Sequence, residues 1–279
     1  MGKRKTIVWV TAAAAFALTA TAPAVRAEVT DAEKAANAEA MATGQMMYRY
    51  DQAAWHSTDA LLARINPADY PDLAGWVVEP QGDDSLLVTY FGRRDGPRYA
   101  IIRFVMRGST VVEGGLVPKG ADAGLSPLAN RLADARDAAT ARFSQEKLGF
   151  CTKGTGNSVI LPPEGDGPVR AYLMSSPITA GVFPLGGHYR FDIDKDGKVA
   201  SWRPFLKSCM MIDSRPEGEM AKKTAFFVSH LLDPQPTEIH YFVRYNVPVD
   251  MAIIMPDEDV WLLGLDGFTN PKAGEIAPP

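Results

Sequence analysis

Two histidines and a glutamate in the last quarter of the chain are the residues whose types and spacing best suit metal binding. His230 and His240 fall in two runs, 226–232 and 238–245, which the sequence predicts as the strands of one hairpin. A symmetric hairpin places the two imidazoles opposite each other, with Glu238 on the same face because strand side chains alternate. Two imidazoles and a carboxylate are suitable ligands for zinc or copper.

The sequence does not fix the register of this hairpin. Its four-residue loop contains two prolines, and a slip of one residue would leave two separate, half-exposed histidines without a metal. The sequence contains no phosphate-binding loop, nucleophile elbow, His-Glu-x-x-His or Cys-x-x-Cys motif. We therefore expect no cofactor and assign no catalytic residue, with zinc or copper at His230, Glu238 and His240 as the alternative.

The two cysteines of the chain are Cys151 and Cys209. In an oxidising compartment an even number of cysteines favours a disulfide, so we predict that these two are bonded. The bond would join the end of a long central helix to the second half of the chain. The alternative is a pair of buried free thiols.

The elements that must position these residues alternate between helical and strand patterns. A capping box at Thr30 opens an N-terminal helical segment that Gly44 interrupts and that resumes over Gln45–Ile65. Ser126 followed by proline begins one long central helix, which Gly149 closes. Short runs rich in β-branched and aromatic residues predict strands at 75–80, 86–91, 99–106, 110–113, 158–161, 169–175, 187–194, 198–206, 225–232, 238–246, 249–255 and 259–265.

These patterns predict an α+β fold of antiparallel sheets with an N-terminal helical segment and one long central helix. Residues 28–150 form an N-terminal α+β half, and residues 151–279 form a strand-rich C-terminal half. The two halves are separate units or together one compact domain.

Residues 1–27 have the pattern of a cleaved secretory signal. A basic start is followed by an uncharged apolar run, then by Pro23 and the small-residue cleavage site that ends at Ala27. The alternative is a permanent membrane anchor, but the run is short and is rich in alanine and threonine, which insert weakly. We therefore expect an exported protein, periplasmic or secreted, with no membrane anchor after cleavage.

Three strings resemble those of a group of uncharacterised exported bacterial proteins. They are residues 48–59 (YRYDQAAWHSTD), residues 186–190 (GGHYR) with Asp196-Gly197 after them, and residues 236–240 (PTEIH). The resemblance implies export and a shared fold. It implies no activity and no site residues.

Composition narrows the classes of function. The 279 residues carry 29 basic and 33 acidic side chains, a net charge of -4, so nucleic acid is not an expected partner. The leading prediction is a non-catalytic periplasmic module that binds another protein or an envelope component. The alternatives are a metal-dependent or hydrolytic enzyme that uses His230, Glu238 and His240, and a binder of small apolar ligands.

Overall fold

The computed structural model describes residues 29–82, 84–154, 156–215 and 225–271. The predicted signal at 1–27 lies outside the described residues. Three α-helices occur in the described part: α1 (Asp31–Leu62), α2 (Pro127–Gln145) and α3 (Glu238–Asn246). A short 3-10 helix spans Pro67–Asp69.

The strands form antiparallel sheets, with one parallel pair. The first sheet has the order β1 (Leu73–Pro80), β2 (Ser85–Gly92), β3 (Tyr99–Arg107), β4 (Thr110–Leu116). The second has the order β5 (Asn157–Leu161), β6 (Val169–Met174), β8 (Tyr189–Ile193), β9 (Val199–Pro204). A two-stranded sheet pairs β7 (Val182–Pro184) with β10 (Met211–Asp213). The last sheet has the order β11 (Ala225–Ser229), β12 (Asp250–Ile254), β13 (Val260–Leu263), β14 (Phe268–Thr269). The predicted α+β class is confirmed.

Helix α1 is continuous through Gly44, so the predicted interruption there is wrong. The helix begins as predicted, with the Thr30 side chain accepting from the Glu33 N–H and the Glu33 carboxylate accepting from the Thr30 N–H. Gly44 instead lies where α1 crosses α3. A Cβ at this position would lie 2.5 Å from the Tyr241 Cβ and 2.7 Å from the Glu238 carbonyl oxygen. The glycine therefore permits close helix packing rather than ending a helix.

Helix α2 begins at the predicted serine and ends earlier than predicted. The Ser126 hydroxyl accepts from the Ala129 N–H at 2.8 Å, as an N-cap does. The helix ends at Gln145, and Lys147, with φ of 54°, takes the left-handed conformation that closes it, so Gly149 is not the closing residue. The N–H of Leu148 then donates to the Phe143 carbonyl at 3.1 Å, the closing bond of a Schellman turn.

The strand predicted at 238–246 is instead the helix α3. Thr237 precedes it in an extended conformation, and Glu238 places a negative charge in the first turn, where the helix dipole favours it. Ile239, Phe242 and Val243 are all buried and have the i, i+3, i+4 spacing of a helix face. A nine-residue aromatic and β-branched run has no periodicity long enough to separate the two structures, so burial decides between them.

Two hydrophobic clusters hold the elements together. The larger contains Met47 of α1 and Val88 of β2 as well as Tyr172 of β6 and Trp261 of β13. Residues on both sides of position 150 therefore share one core. The smaller cluster packs α2 against Val77 and other residues of the first sheet and against the second sheet. Because strand side chains alternate, α1 and α2 cover opposite faces of these two sheets.

Candidate functional site

The structure brings His230 and His240 together by a route other than the predicted hairpin. β11 pairs in parallel with β12, and the His230 N–H just beyond β11 donates to the Ile254 carbonyl at 2.8 Å. His240 lies in the first turn of α3. The two imidazole rings meet edge to face, with centroids 4.6 Å apart. The predicted convergence of the two rings is therefore found, although the strand pairing from which it was predicted is wrong.

The hydrogen bonds of His240 define its tautomer. Its Nδ1 accepts from the backbone N–H of Thr237 at 3.0 Å and lies 3.0 Å from the Thr237 hydroxyl. Burial, with the neighbouring His230 as a smaller contribution, lowers the pKa of His240 to about 3. The ring is therefore neutral at physiological pH. Since Nδ1 accepts, the single ring proton is on Nε2.

His230 is hydrogen-bonded to the ion pair of Asp233 and Arg203. Its Nε2 lies 2.8 Å from the Asp233 carboxylate, which also receives two hydrogen bonds from Arg203 at 2.7 and 2.6 Å. Burial opposes ionisation of Asp233, but the hydrogen bonds from His230 and Arg203 outweigh it and hold the pKa of the carboxyl well below its usual range. The ionised carboxylate orients the His230 ring with Nε2–H towards it.

The remaining ring nitrogens, His240 Nε2 and His230 Nδ1, are both buried and have no hydrogen-bond partner among the described residues. In the tautomer fixed by Thr237, His240 Nε2 carries the ring hydrogen. A metal at His240 Nε2 would need a lone pair where this tautomer places a proton, so the hydrogen bond from Thr237 disfavours a metal at this nitrogen.

Glu238, the third predicted ligand, makes its contacts elsewhere. Its carboxylate accepts from the Tyr172 hydroxyl at 3.0 Å and from Arg190 at 2.9 Å. Residues two apart in a helix point about 200° away from each other, so Glu238 does not share a face with His240 as it would in a strand. No group of three or more His, Cys, Asp or Glu residues suited to a metal ion occurs in the described ranges.

The structure contains the predicted disulfide. Cys151 and Cys209 are bonded, with Cα atoms 5.3 Å apart and a sequence separation of 58. The bond joins the segment after α2 to the segment between β9 and β10. The Cys151 N–H donates to the Ser175 hydroxyl at 2.9 Å, and the Ser175 hydroxyl donates to the Gly187 carbonyl at 3.0 Å. The bond therefore ties the end of the helix region to the second sheet.

Sequence reasoning missed a cavity of about 440 Å³ between the first sheet and the loop that leads into α2. Its lining includes Glu79, Thr89, Arg103 and Ser126. Glu79 is only 7% exposed, and the Ser126 hydroxyl donates to its carboxylate. One feature of the sequence indicates this site. Glu79 follows Val77 and Val78 in β1, and strand alternation turns its side chain to the same face as the buried Val77.

The outer face of the last sheet carries exposed apolar side chains. Along β11 and the residues after it, Phe226, Val228 and His230 alternate with Phe227, Ser229 and Leu231. Phe227 is 72% exposed and Leu231 is 75% exposed, whereas Val228 and His230 are buried. The sequence predicts this strand but does not show which of its faces is exposed.

No protein family model matches the chain, and no curated protein matches it at a significant level of similarity. In the part of the chain that the structure describes, none of the helices has the length and apolar character needed to cross a bilayer.

Proposed function

We propose that this is an exported, periplasmic protein that acts by binding an envelope protein rather than by catalysis. In this proposal the partner adds an extended segment to the edge of β11. The observation that carries it is the outward pair Phe227 and Leu231, more than 70% exposed, on or just beyond a strand with a single neighbour among the described residues.

The composition of β11 supports an edge that is used for binding. Soluble proteins normally protect an edge strand with charges, prolines or bulges, since free backbone N–H and C=O groups pair readily with another chain. The strand Ala225–Ser229 contains neither a charge nor a proline, and it pairs with β12 in regular register. Burial of a large apolar side chain contributes about 1.5–3 kcal/mol, so Phe227 and Leu231 together can anchor a partner whose main chain pairs with β11.

Two features support export. The segment 1–27 has the order of a secretory signal, and a disulfide is typical of proteins outside the reducing cytosol. Sequencing the N-terminus of the protein from its native host tests this part directly. We expect Glu28 as the first residue, whereas an intact Met1 in a membrane fraction would contradict export through a cleaved signal.

A catalytic role for the histidine pair has weaker support. His230 is 1% exposed and His240 is fully buried, so a substrate cannot reach either ring without rearrangement of the fold. Each ring also uses one nitrogen in a hydrogen bond with its own segment. Metal analysis of the purified protein distinguishes this alternative, because stoichiometric zinc or copper that is lost in His240→Ala would favour it.

The binding proposal is tested by photo-cross-linking in the periplasm of the native host. A photoreactive amino acid replaces Phe227 in one strain and Val112, exposed on the edge strand β4, in a control strain. We expect one discrete adduct from position 227, none from position 112, and loss of the adduct when Leu231→Asp is added.

Purified components then test the same interface without other proteins. The partner identified by mass spectrometry should bind the purified chain, and Phe227→Asp should weaken binding by about a hundredfold, the effect of losing one buried aromatic anchor. Val112→Asp should leave the affinity unchanged. Adducts at both positions, an adduct only with a second copy of this chain, or equal affinity of the two variants would overturn the proposal.

A further inference from the structure

The cavity of about 440 Å³ lies on the same face of the first sheet as α2, beside the start of that helix. In the strand register Glu79 is opposite Leu87, and Thr89 is opposite Arg103, so these four side chains form a compact floor. The loop of residues 122–127 forms the rim. The volume is that of a small-molecule site and is much larger than a bare ion requires.

Glu79 is a nearly buried carboxylate without a counter-charge. Its hydrogen-bond partner is the neutral hydroxyl of Ser126, and no ion pair in the described residues includes it. A buried glutamate is normally paired, because removing a charge from water is costly unless an opposite charge replaces the lost solvation. Among the described residues, the site therefore lacks a positive charge paired with the Glu79 carboxylate.

Arg103, the one cation in the cavity lining, does not supply that charge. Its two terminal nitrogens donate to the backbone carbonyls of Asp122 at 3.1 Å and Gly124 at 2.7 Å. The arginine thereby holds the rim of the cavity in place. The Asp122 carboxylate adds a second negative charge and accepts from the Gly124 N–H at 2.8 Å, so the lining is negative overall.

We infer that this cavity binds the ammonium group of a small organic amine, with Glu79 as the counter-charge. The ammonium has three donors and no acceptor, which suits the carboxylate of Glu79 and the hydroxyl oxygens of Thr89 and Ser126. Leu87, Leu125 and Pro127 supply an apolar wall for the body of the ligand. This inference is independent of the proposed partner site on β11, which lies on another sheet.

The test uses n-butylammonium as the probe and the mature, disulfide-bonded chain. Glutamate side chains carry a carbon-13 label at the carboxyl, and the Glu79 resonance is followed by NMR at neutral pH as the probe is added. We expect a saturable shift of that resonance. Neither n-butanol, which lacks the charge, nor butyrate, which reverses it, should produce the shift.

Two isosteric variants separate the site from general charge effects. Glu79→Gln keeps an acceptor for Ser126 but removes the charge, and we expect it to weaken n-butylammonium binding about tenfold or more. Glu113→Gln changes the same charge at an exposed position of β4 and should leave binding unchanged. Thermal unfolding of each variant confirms that it is folded.

Three results would overturn the inference. They are the absence of a saturable shift in the wild-type chain, equal binding by the Glu79→Gln and wild-type chains, and a carboxyl resonance showing that Glu79 is protonated at neutral pH. The titration of the wild-type chain tests the inference by itself, even if Glu79→Gln fails to fold. Phe227→Asp should leave amine binding intact, so failure of one proposal does not decide the other.

Discussion

The substitution Gly44→Ala is the most direct test of the close packing between α1 and α3. An added Cβ would meet the Tyr241 Cβ at 2.5 Å, the Glu238 carbonyl oxygen at 2.7 Å and the Phe242 nitrogen at 2.9 Å. None of these atoms can rotate away, because two belong to the backbone of α3 and the third is attached to it. Ordinary contact begins at 3.4 Å, so α3 must move by about 0.9 Å or α1 must bend.

Two effects of opposite sign determine the change in stability. Alanine is favoured over glycine in a helix interior by about 1 kcal/mol, so an unhindered site would become more stable. Forcing a methyl group into a packed interface costs about 1–3 kcal/mol, and costs more where the contacts are backbone. The clashes at Gly44 are near the severe end, so we expect a net loss of about 2 kcal/mol and a Tm lower by about 4–8 °C.

Urea and thermal unfolding followed by circular dichroism measure this loss. Gly115→Ala is the matched control, because a Cβ there meets nothing within 4 Å. The control should change the free energy of unfolding by less than about 0.5 kcal/mol. If Gly44→Ala is as stable as the wild-type chain or more stable, the close crossing of α1 and α3 is incorrect.

The disulfide and the buried ionisable groups give the remaining predictions. Reduction, or replacement of Cys151 and Cys209 by alanine, should lower the free energy of unfolding by roughly 4 kcal/mol, the chain-entropy value for this loop; an unchanged Tm with reductant would contradict it. Burial lowers the pKa of His188 to about 4 and of His240 to about 3, so below pH 6.5 the unfolded chain binds protons that the folded chain does not. Stability should therefore fall from pH 6.5 towards pH 4, by up to about 1.4 kcal/mol per pH unit for each histidine, and a flat profile from chemical denaturation would refute this. Burial raises the pKa of Asp51 to about 6, so its proton uptake in the folded state opposes the loss, and Asp51→Asn should steepen the profile.

Local signals in the sequence predicted most of the elements. The four strands of the first sheet and the start of α2 were predicted because turn residues, alternation and an N-cap are encoded within a few residues of each other. Gly44 and α3 were misassigned for one shared reason. A glycine in a helix and a short aromatic run each take their structure from the partner they pack against, which is remote in sequence.

The disulfide could be predicted from the sequence, whereas the surroundings of the histidine pair and the cavity at Glu79 depend on contacts between segments that are remote in sequence. The disulfide was predictable because the chain has only two cysteines. The contact of His230 with His240 was predicted from a hairpin that does not exist, since the real connection is a strand, a loop and a helix. The cavity at Glu79 was not predicted at all, because it requires the loop before α2 to lie over a particular face of the first sheet.

The histidine pair has a consequence for the surface as well as for the interior. Residues 227 and 231 are an odd number of positions from His230, so with strand alternation a histidine that points inward turns Phe227 and Leu231 outward. The inward orientation of His230 is fixed by its bond to Asp233, which Arg203 of β9 holds in turn. The buried polar chain thus sets which face of β11 meets solvent. A slip of one residue in this strand would turn Phe227 and Leu231 inward and so remove the apolar contacts that we propose for partner binding.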